Sequence, residues 1–295
     1  MRLPDPSVSH GSPVIREPAV GIALERHRIV RRLRPSLREI LPTLPAARIN
    51  AELTSEPPAR TLNVVQSRLT FTTSPARCEY LPDRLSQLRY ELSPDLPSQD
   101  YLSRLKAGWR RFGPVVFRPE CPSCRMCQSL RVPVSAFHAN ESQRRAWRKN
   151  HGTVALRRGA PVISRDRLDL WVEFHRYGHQ TKGWPAETRS DPGLMFDSAT
   201  EEWTYYVEDR LVAVGYVDAL PEALSAIYFY WDPRERARSL GTFHIVSMIA
   251  AARESDLGHV YLGYYVEGCR SLEYKARFRP NEVLRQDGEW AAFIA

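Results

Sequence analysis

Three cysteines within seven residues constrain this chain more than any other feature: Cys121, Cys124 and Cys127 in RPECPSCRMCQSLRVPV. Thiols at C-x2-C-x2-C spacing can turn towards one point, which suits a tetrahedral or cuboidal metal centre. The flanking VVF and QSLRVPV read as strands, so the cysteines are predicted to sit on a tight loop between two of them. A fourth ligand would have to come from elsewhere, and Cys78 in RCEYLPDR is the candidate. Five clustered cysteines, an odd number, argue for a metal or for free thiols over a disulfide framework. An iron–sulfur cluster and zinc both remain open. Cys269 reads as a buried, inert thiol.

A basic run follows at once, with Arg144, Arg145, Arg148 and Lys149 around Trp147. Asn140 can cap a helix over 141–150, and Glu141 suits its first turn. Arg144 and Arg148, like Arg145 and Lys149, then stack one turn apart and repel. An anionic partner would relieve that repulsion. The net charge of +8 and pI near 9.4 also favour a polyanion. No apolar run approaches the roughly 20 residues that cross a bilayer, and the first residues lack a secretory core. These features predict a cytoplasmic protein that does not engage a membrane.

The first sixty residues hold nine of the 23 prolines and no Phe, Trp, Tyr, Lys or Cys. Residues 1–66 are therefore predicted to be a disordered extension, with an RNA-touching basic arm as the alternative. A cysteine-containing α+β domain is predicted over 67–160: strands in SRLTFTT and LSQLRYEL, a helix from Ser98 past Trp109 to Gly113–Pro114, the cysteine loop, the basic helix, and a strand in VALRR. A long helix from Ser164 opens a second domain over 161–295. Its apolar face carries Leu168, Trp171, Val172, Phe174 and His175. His175 and His179 stand four apart but read as packed or solvent-facing histidines, because no third ligand lies close. From residue 202 an antiparallel meander is predicted, EWTYYVE, LVAVGYVDA and LSAIYFYW. DPRERARSLG, a helix through His244 to Ala252, HVYLGYY, SLEYKARF and a last strand at EVLRQ follow. This is the order of a GNAT-type acyltransferase: α+β, with a mixed, mainly antiparallel sheet.

CEYLP, GWRRFGPVVFRPECPSCRMCQSLRVPV and SQRRAWRKN together resemble the aminoacyl-tRNA–protein transferases that tag N-terminal Asp and Glu. That family includes the arginyltransferases and the bacterial aspartate/glutamate leucyltransferases. IYFYWDPRERARSLGTFHI with YLGYYVEGCRSLEYKARFRP resembles its C-terminal half, so the likeness spans about residues 67–286. The resemblance implies aminoacyl transfer from leucyl- or arginyl-tRNA to the α-amine of proteins that begin with Asp or Glu, marking them for N-degron degradation. CEYLP in place of a C-x2-C pair leans towards the leucyl type. No cofactor is required for the transfer itself. The resemblance also implies that Cys78, Cys121, Cys124 and Cys127 map onto family cysteines linked in some members to an iron–sulfur cluster.

The site residues follow from chemistry and resemblance together. The helix start around Arg236, Ser239, Gly241 and Thr242 can hold a phosphate on free backbone N–H groups. Its single glycine fits a tRNA end at least as well as coenzyme A. Tyr230, Asp232 and Tyr264 lie at strand ends beside the expected splay and are candidates to keep the attacking amine neutral; packing is the alternative for each. Tyr274, Lys275, Arg277 and Arg279 offer a cationic pocket for the acceptor's carboxylate, with a basic surface strand as the alternative. Arg144, Arg145, Arg148 and Lys149 are candidates for the tRNA backbone, and Trp147 reads as core-facing. Two other classes stay open: a coenzyme A-dependent N-acetyltransferase with a metal-binding domain, and an RNA-binding iron–sulfur protein.

Overall fold

The computed structural model describes residues 69–94, 96–182, 184, 196 and 199–293. The predicted extension at 1–66, and most of the loop in QTKGWPAETRSDPG, lie outside the described residues. The chain enters through β1 (Leu69–Thr72), a short hairpin of β2 (Ala76–Arg77) and β3 (Leu85–Ser86), and β4 (Leu88–Leu92). Helix α1 (Ser98–Lys106), β5 (Arg110–Phe112) and β6 (Val115–Pro119) follow. Strands β1, β4, β6 and β5 form a four-stranded antiparallel sheet in that order. The helix predicted to reach Gly113 stops at Lys106. Gly108 has φ +84°, a conformation that favours glycine and ends the helix, and the next residues turn back as β5 against β6.

The cysteine loop joins β6 to β7 (Gln128–Pro133), as the flanking strands predicted. Then come α2 (Glu141–Asn150), β8 (Ala155–Gly159) and α3 (Arg165–Lys182). Asn140 caps α2 in a reciprocal box with Gln143: its side chain accepts from Gln143 N, and the Gln143 side chain accepts from Asn140 N. The meander is β9 (Thr200–Val207), β10 (Arg210–Leu220) and β11 (Ala223–Trp231). After a 3-10 turn (Pro233–Arg238) the chain runs through α4 (Leu240–Glu254), β12 (His259–Tyr265), a short helical passage over Arg270–Arg277, β13 (Glu282–Leu284) and β14 (Trp290–Ala292).

Eight strands form the main sheet, in the order β14-β13-β7-β12-β11-β10-β9-β8. Only β11 and β12 run parallel within it. The fold is α+β with a mixed, mainly antiparallel sheet, as the strand pattern predicted. The boundary predicted at 160/161 does not divide this sheet. β7 and β8 precede it in sequence yet pair with β12, β13 and β9, because β7 buries Leu130 and Val132 in the same core.

Both faces of β11 are covered, and all nine of its residues are buried. On one face Trp171 and His175 of α3 meet Tyr228 and Tyr230. Arg167 of α3 pairs with Glu202 on that same face, and Asp218, two residues beyond Glu202's partner Tyr216, receives Arg111 of β5 at 2.8 Å. The small sheet and α3 therefore lie side by side on one face. On the other, α4 lays His244 flat against Phe229, and α2 packs outside it through Trp147 and Phe243. This double contact explains why α4 is buried on nearly all sides. His175 accepts its predicted packed role, with its ring between Trp171 O and the Tyr228 hydroxyl. Val172, predicted on the apolar face of α3, is exposed; the buried stripe is Leu170, Trp171, Phe174, His175 and Gly178.

Burial drives this arrangement, at roughly 1.5–3 kcal/mol for each large apolar side chain taken from water. His244 is part of it: burial pushes its pKa down to about 3, so the ring is neutral, and it contacts the Tyr205 hydroxyl at 2.6 Å. Its edge fills the space above Gly215, where a Cβ would meet His244 Cε1 at 2.5 Å. Gly215→Ala should therefore cost about 1–3 kcal/mol in urea unfolding. In a double-mutant cycle most of that cost should vanish beside His244→Ala.

Candidate active site

The strands β11 and β12 pair over only three positions, Ala223↔His259, Leu224↔Val260 and Ser225↔Tyr261. Beyond them a bulge breaks the register of β11 against β10, between Tyr216 and Val217, and β12 shifts against β7 between Tyr261 and Gly263. Bulges re-aim strands, and here the two strands part. The predicted splay is present. On the small-sheet side, over β12, β7 and β13, lies a cleft of about 590 Å³, lined by Gly108, Arg118, Cys121, Cys124, Tyr264 and Arg285 among others.

Of the three residues proposed to assist the amine, Tyr264 alone lines this cleft. Its hydroxyl donates to Gly108 O at 2.9 Å, and its ring stands edge-on to Phe117. Tyr230 points towards α3 instead: its hydroxyl lies 3.5 Å from that of Tyr216, and burial holds its phenol well above the usual range. Such a group is no proton acceptor near neutrality. Asp232 is buried beneath Arg210 and Arg234 and accepts the Arg234 backbone N–H at 3.0 Å. It anchors the 3-10 turn.

The YKARFRP segment is helical, where the alternative reading had a basic strand. Lys275 is wholly buried and donates to Tyr264 O at 2.7 Å. Tyr274 is also buried, which raises its phenol. Arg277 and Arg279 are exposed, and the Arg277 carbonyl accepts from Gln143 Nε2 at the start of α2. The predicted pocket thus divides, with Lys275 at the splay and the two arginines outside it. Sequence reading missed Arg110, which reaches the splay from β5. The signal was there in GWRRFG: two arginines inside an aromatic strand must be buried with partners.

At the start of α4, Ser239 adopts φ +55°, and its side chain makes no cap hydrogen bond, contrary to the predicted cap. Its left-handed backbone turns the chain between the 3-10 turn and the helix. Arg236 is exposed and Gly241 and Thr242 are half-exposed, so the helix tip opens to solvent. The end of α2 is tied to this tip: Lys149 donates to Ala237 O at 2.6 Å and Asn150 to Arg238 O at 2.7 Å. Arg144 and Arg148 both bond Glu141, which relieves their repulsion and, chiefly through Arg144, lowers the Glu141 pKa. Arg145 is exposed. Trp147 packs inward on His151 and Phe243, as predicted.

All four predicted cysteine ligands border one apolar cavity of about 60 Å³, with Leu88, Tyr90, Phe117 and Val266 in its walls. The cysteine loop is the wall this cavity shares with the cleft. Cys121 Sγ receives Gln87 N at 3.5 Å, Cys78 Sγ receives Leu81 N at 3.5 Å, and Cys124 Sγ receives Arg84 Nη1 at 3.6 Å. Burial, with Cys124 and Cys78 nearby, raises the Cys121 thiol. The donor chemistry suits a thiophilic metal. Among the described residues, however, no three Cys, His, Asp or Glu groups converge as a ligand set, so no step below passes through a metal. Cys269 is buried against Val266 and Leu272, as predicted.

Comparison with known proteins decides the family. Residues 76–145 match the model described as "Arginine-tRNA-protein transferase, N terminus", and 166–285 match its C-terminus counterpart. The chain belongs to the aminoacyl-tRNA–protein transferases. A protein of Campylobacter jejuni named aspartate/glutamate leucyltransferase is 36% identical over 73% of this chain and 92% of that one. One of the same name from Nitrosococcus oceani is 36% identical over 75% and 94%. A crystal structure of FemX aligns with a TM-score of 0.37 and 10% identity, over 68% of this chain and 80% of that one. Among the described residues of this transferase no helix is long and apolar enough to cross a membrane.

Asp232 gives the site a measurable acid limit. Burial alone would raise its carboxyl, but the Arg234 hydrogen bonds and the charges of Arg234 and Arg210 hold it below the usual range. A carboxyl depressed on folding contributes stability that is full above its unfolded pKa, near 3.9, and is lost as pH falls through its lower folded value. Asp232→Asn should therefore be less stable than the parent at neutral pH. The gap should close as urea midpoints are followed down through the acid range.

Proposed function

We propose that this transferase joins leucine, with arginine as the alternative donor residue, from aminoacyl-tRNA to the α-amino group of proteins beginning with Asp or Glu. The tagged protein would then enter N-degron degradation. The observation that carries the reading is the match of both halves to the family, with leucyltransferase relatives that align over nearly their whole length. The transfer forms an amide and breaks the ester that joins the amino acid to the tRNA's terminal ribose. The amine's lone pair attacks the ester carbonyl; a proton leaves the amine and ends on the ribose oxygen.

The ester is already activated, so positioning and charge stabilisation supply most of the rate. An α-amine has a pKa near about 7.7–8.0 and is partly neutral at physiological pH. Tyr264 is the residue best placed to touch it, since its hydroxyl borders the cleft and is held by Gly108 O. The open tip of α4, with Arg236 and the α2 residues Arg145 and Lys149 close by in the fold, offers N–H donors and cations to tRNA phosphates. Mass spectrometry of an Asp-initiated peptide, incubated with leucyl- and arginyl-tRNA, tests the reading. A leucine or arginine mass gain on that peptide is expected, and no gain with either donor sinks it. Arg145→Glu and Arg236→Glu should each weaken tRNA binding and flatten its salt dependence by roughly one unit of log–log slope. The peptide KM should stay the same.

The four-thiol pocket belongs to the same reading as a place for an iron–sulfur cluster or zinc, which the transfer itself does not use. Metal analysis and visible absorption of anaerobically purified protein should find a metal that is lost in Cys121→Ser. Protein without metal in either form would return these thiols to plain packing.

A further inference from the structure

The cleft beside Tyr264 has a floor of three neighbouring strands and walls of positive charge. On β12, β7 and β13 the residues Tyr264, Ser129 and Leu284 stand side by side. Gly108 covers that end: its carbonyl takes the Tyr264 hydroxyl and lies 3.5 Å from the Ser129 hydroxyl, and a Cβ there would meet Leu284 Cδ2 at 2.8 Å. Elsewhere the lining is open to solvent, with Arg125 on the cysteine loop and Arg285 after β13 both exposed. Three arginines, Arg118, Arg125 and Arg285, face one carboxylate, Glu120, a formal balance of +2. Glu120 is already taken by Arg118 at 2.6 Å. Arg125 donates to the carbonyls of Cys121 and Cys124, and among the described residues no carboxylate pairs with it. Arg285 meets Asp287 at 2.8 Å, but both partners are more than half exposed, and such pairs are weak. Two cations at the cleft are thus available to an anionic ligand.

We infer that this cleft holds the acceptor polypeptide behind its first residue, and that Arg125 and Arg285 select acidic over basic side chains there. The inference rests on the transfer reading above and concerns the residues that follow the one tagged. Charge gives the sign of the preference, and place gives the occupant. The basic helix α2 and the open tip of α4, offered to tRNA phosphates, lie on the opposite face of the main sheet, which leaves this cleft to the acceptor. Glu120 points the same way. A carboxylate on the wall repels a phosphate chain, whereas a peptide brings backbone N–H groups that it can accept. Distance sets which residues are read. From β12 across β7 to β13 is two strand spacings, about 10 Å, and an extended chain advances about 3.3 Å per residue. With its α-amine at Tyr264, an acceptor crossing the floor brings its third or fourth residue to the end of β13, where Arg285 stands.

The test uses the full chain, leucyl- and arginyl-tRNA, and peptides that share a first Asp but carry either Asp or Lys at the third and fourth positions. A parent protein that tags neither peptide with either donor sinks the transfer reading, and the inference with it. Where tagging occurs, the parent should prefer the acidic peptide by on the order of tenfold in kcat/KM, chiefly through KM. That preference should fall towards one as salt approaches about 1 M, where the screening length is about 3 Å. Changing Arg125→Glu and Arg285→Glu together should reverse it in favour of the lysine peptide, with the KM for aminoacyl-tRNA unchanged. The milder pair Arg125→Gln and Arg285→Gln should bring the ratio close to one, and circular dichroism shows which variants fold. No preference in the parent overturns the inference, as does a parental ratio in either folded variant. So does an equal loss on both peptides with a raised tRNA KM, because that marks the cleft as a seat for the tRNA's acceptor end.

Discussion

The parting of β11 from β12 is the constraint on which the rest of this molecule depends. Two parallel strands in the middle of a sheet lose ladder hydrogen bonds when they separate, and each freed carbonyl must find another donor. Here the donors come from outside the sheet. Arg110 arrives from the small sheet and Lys275 from the helical passage after β12, and each takes one carbonyl beside the gap. Parts of the chain far apart in sequence are therefore held against the seam by charge-assisted hydrogen bonds, which are stronger than neutral ones. The same contacts keep the gap from closing.

Around the seam, the two faces of the main sheet divide the work. The face bearing α3 and the small sheet encloses the cleft, the cysteine loop and Tyr264. The opposite face carries α4 and α2, whose basic residues run from the middle of α2 to the tip of α4. The buried pair of Arg111 and Asp218, supported by Thr200 at 2.7 Å, bolts the small sheet to β10. With that bolt in place, the distance from the basic surface of α2 and α4 to the cleft is set by packed sheet rather than by loops.

Much of this was legible in the sequence, and the failures have physical causes. The meander, the loop between β6 and β7 and the capped basic helix followed from apolar alternation and from Asn140, which are local signals. The helix over 98–106 was read too long because Trp109 continues its apolar spacing, and only the positive φ of Gly108 shows that the chain turns there. Val172 fell on the wrong side for a similar reason: a helix lying obliquely on a sheet buries a stripe that spacing alone places within one residue or two. Tyr230 and Tyr264 look alike in sequence, as tyrosines near strand ends. Both face the same side of the main sheet, but Tyr230 stands on β11 under α3 and Tyr264 on β12 under the small sheet, and no local pattern carries that information. Arg110 was hidden because its partners, Ala226 and Gly263, lie more than a hundred residues away in the chain.

The place of β7 carries a consequence for how the molecule is made. This strand leaves the ribosome early, but its two neighbours, β12 and β13, are among the last segments synthesised. Until they emerge, both edges of an apolar strand stay open, and its attached cysteine loop has no finished wall behind it. The nascent first half therefore cannot settle into its final form while translation continues. It must be shielded from other chains, and its thiols from oxidation, until the final strands slide in on either side.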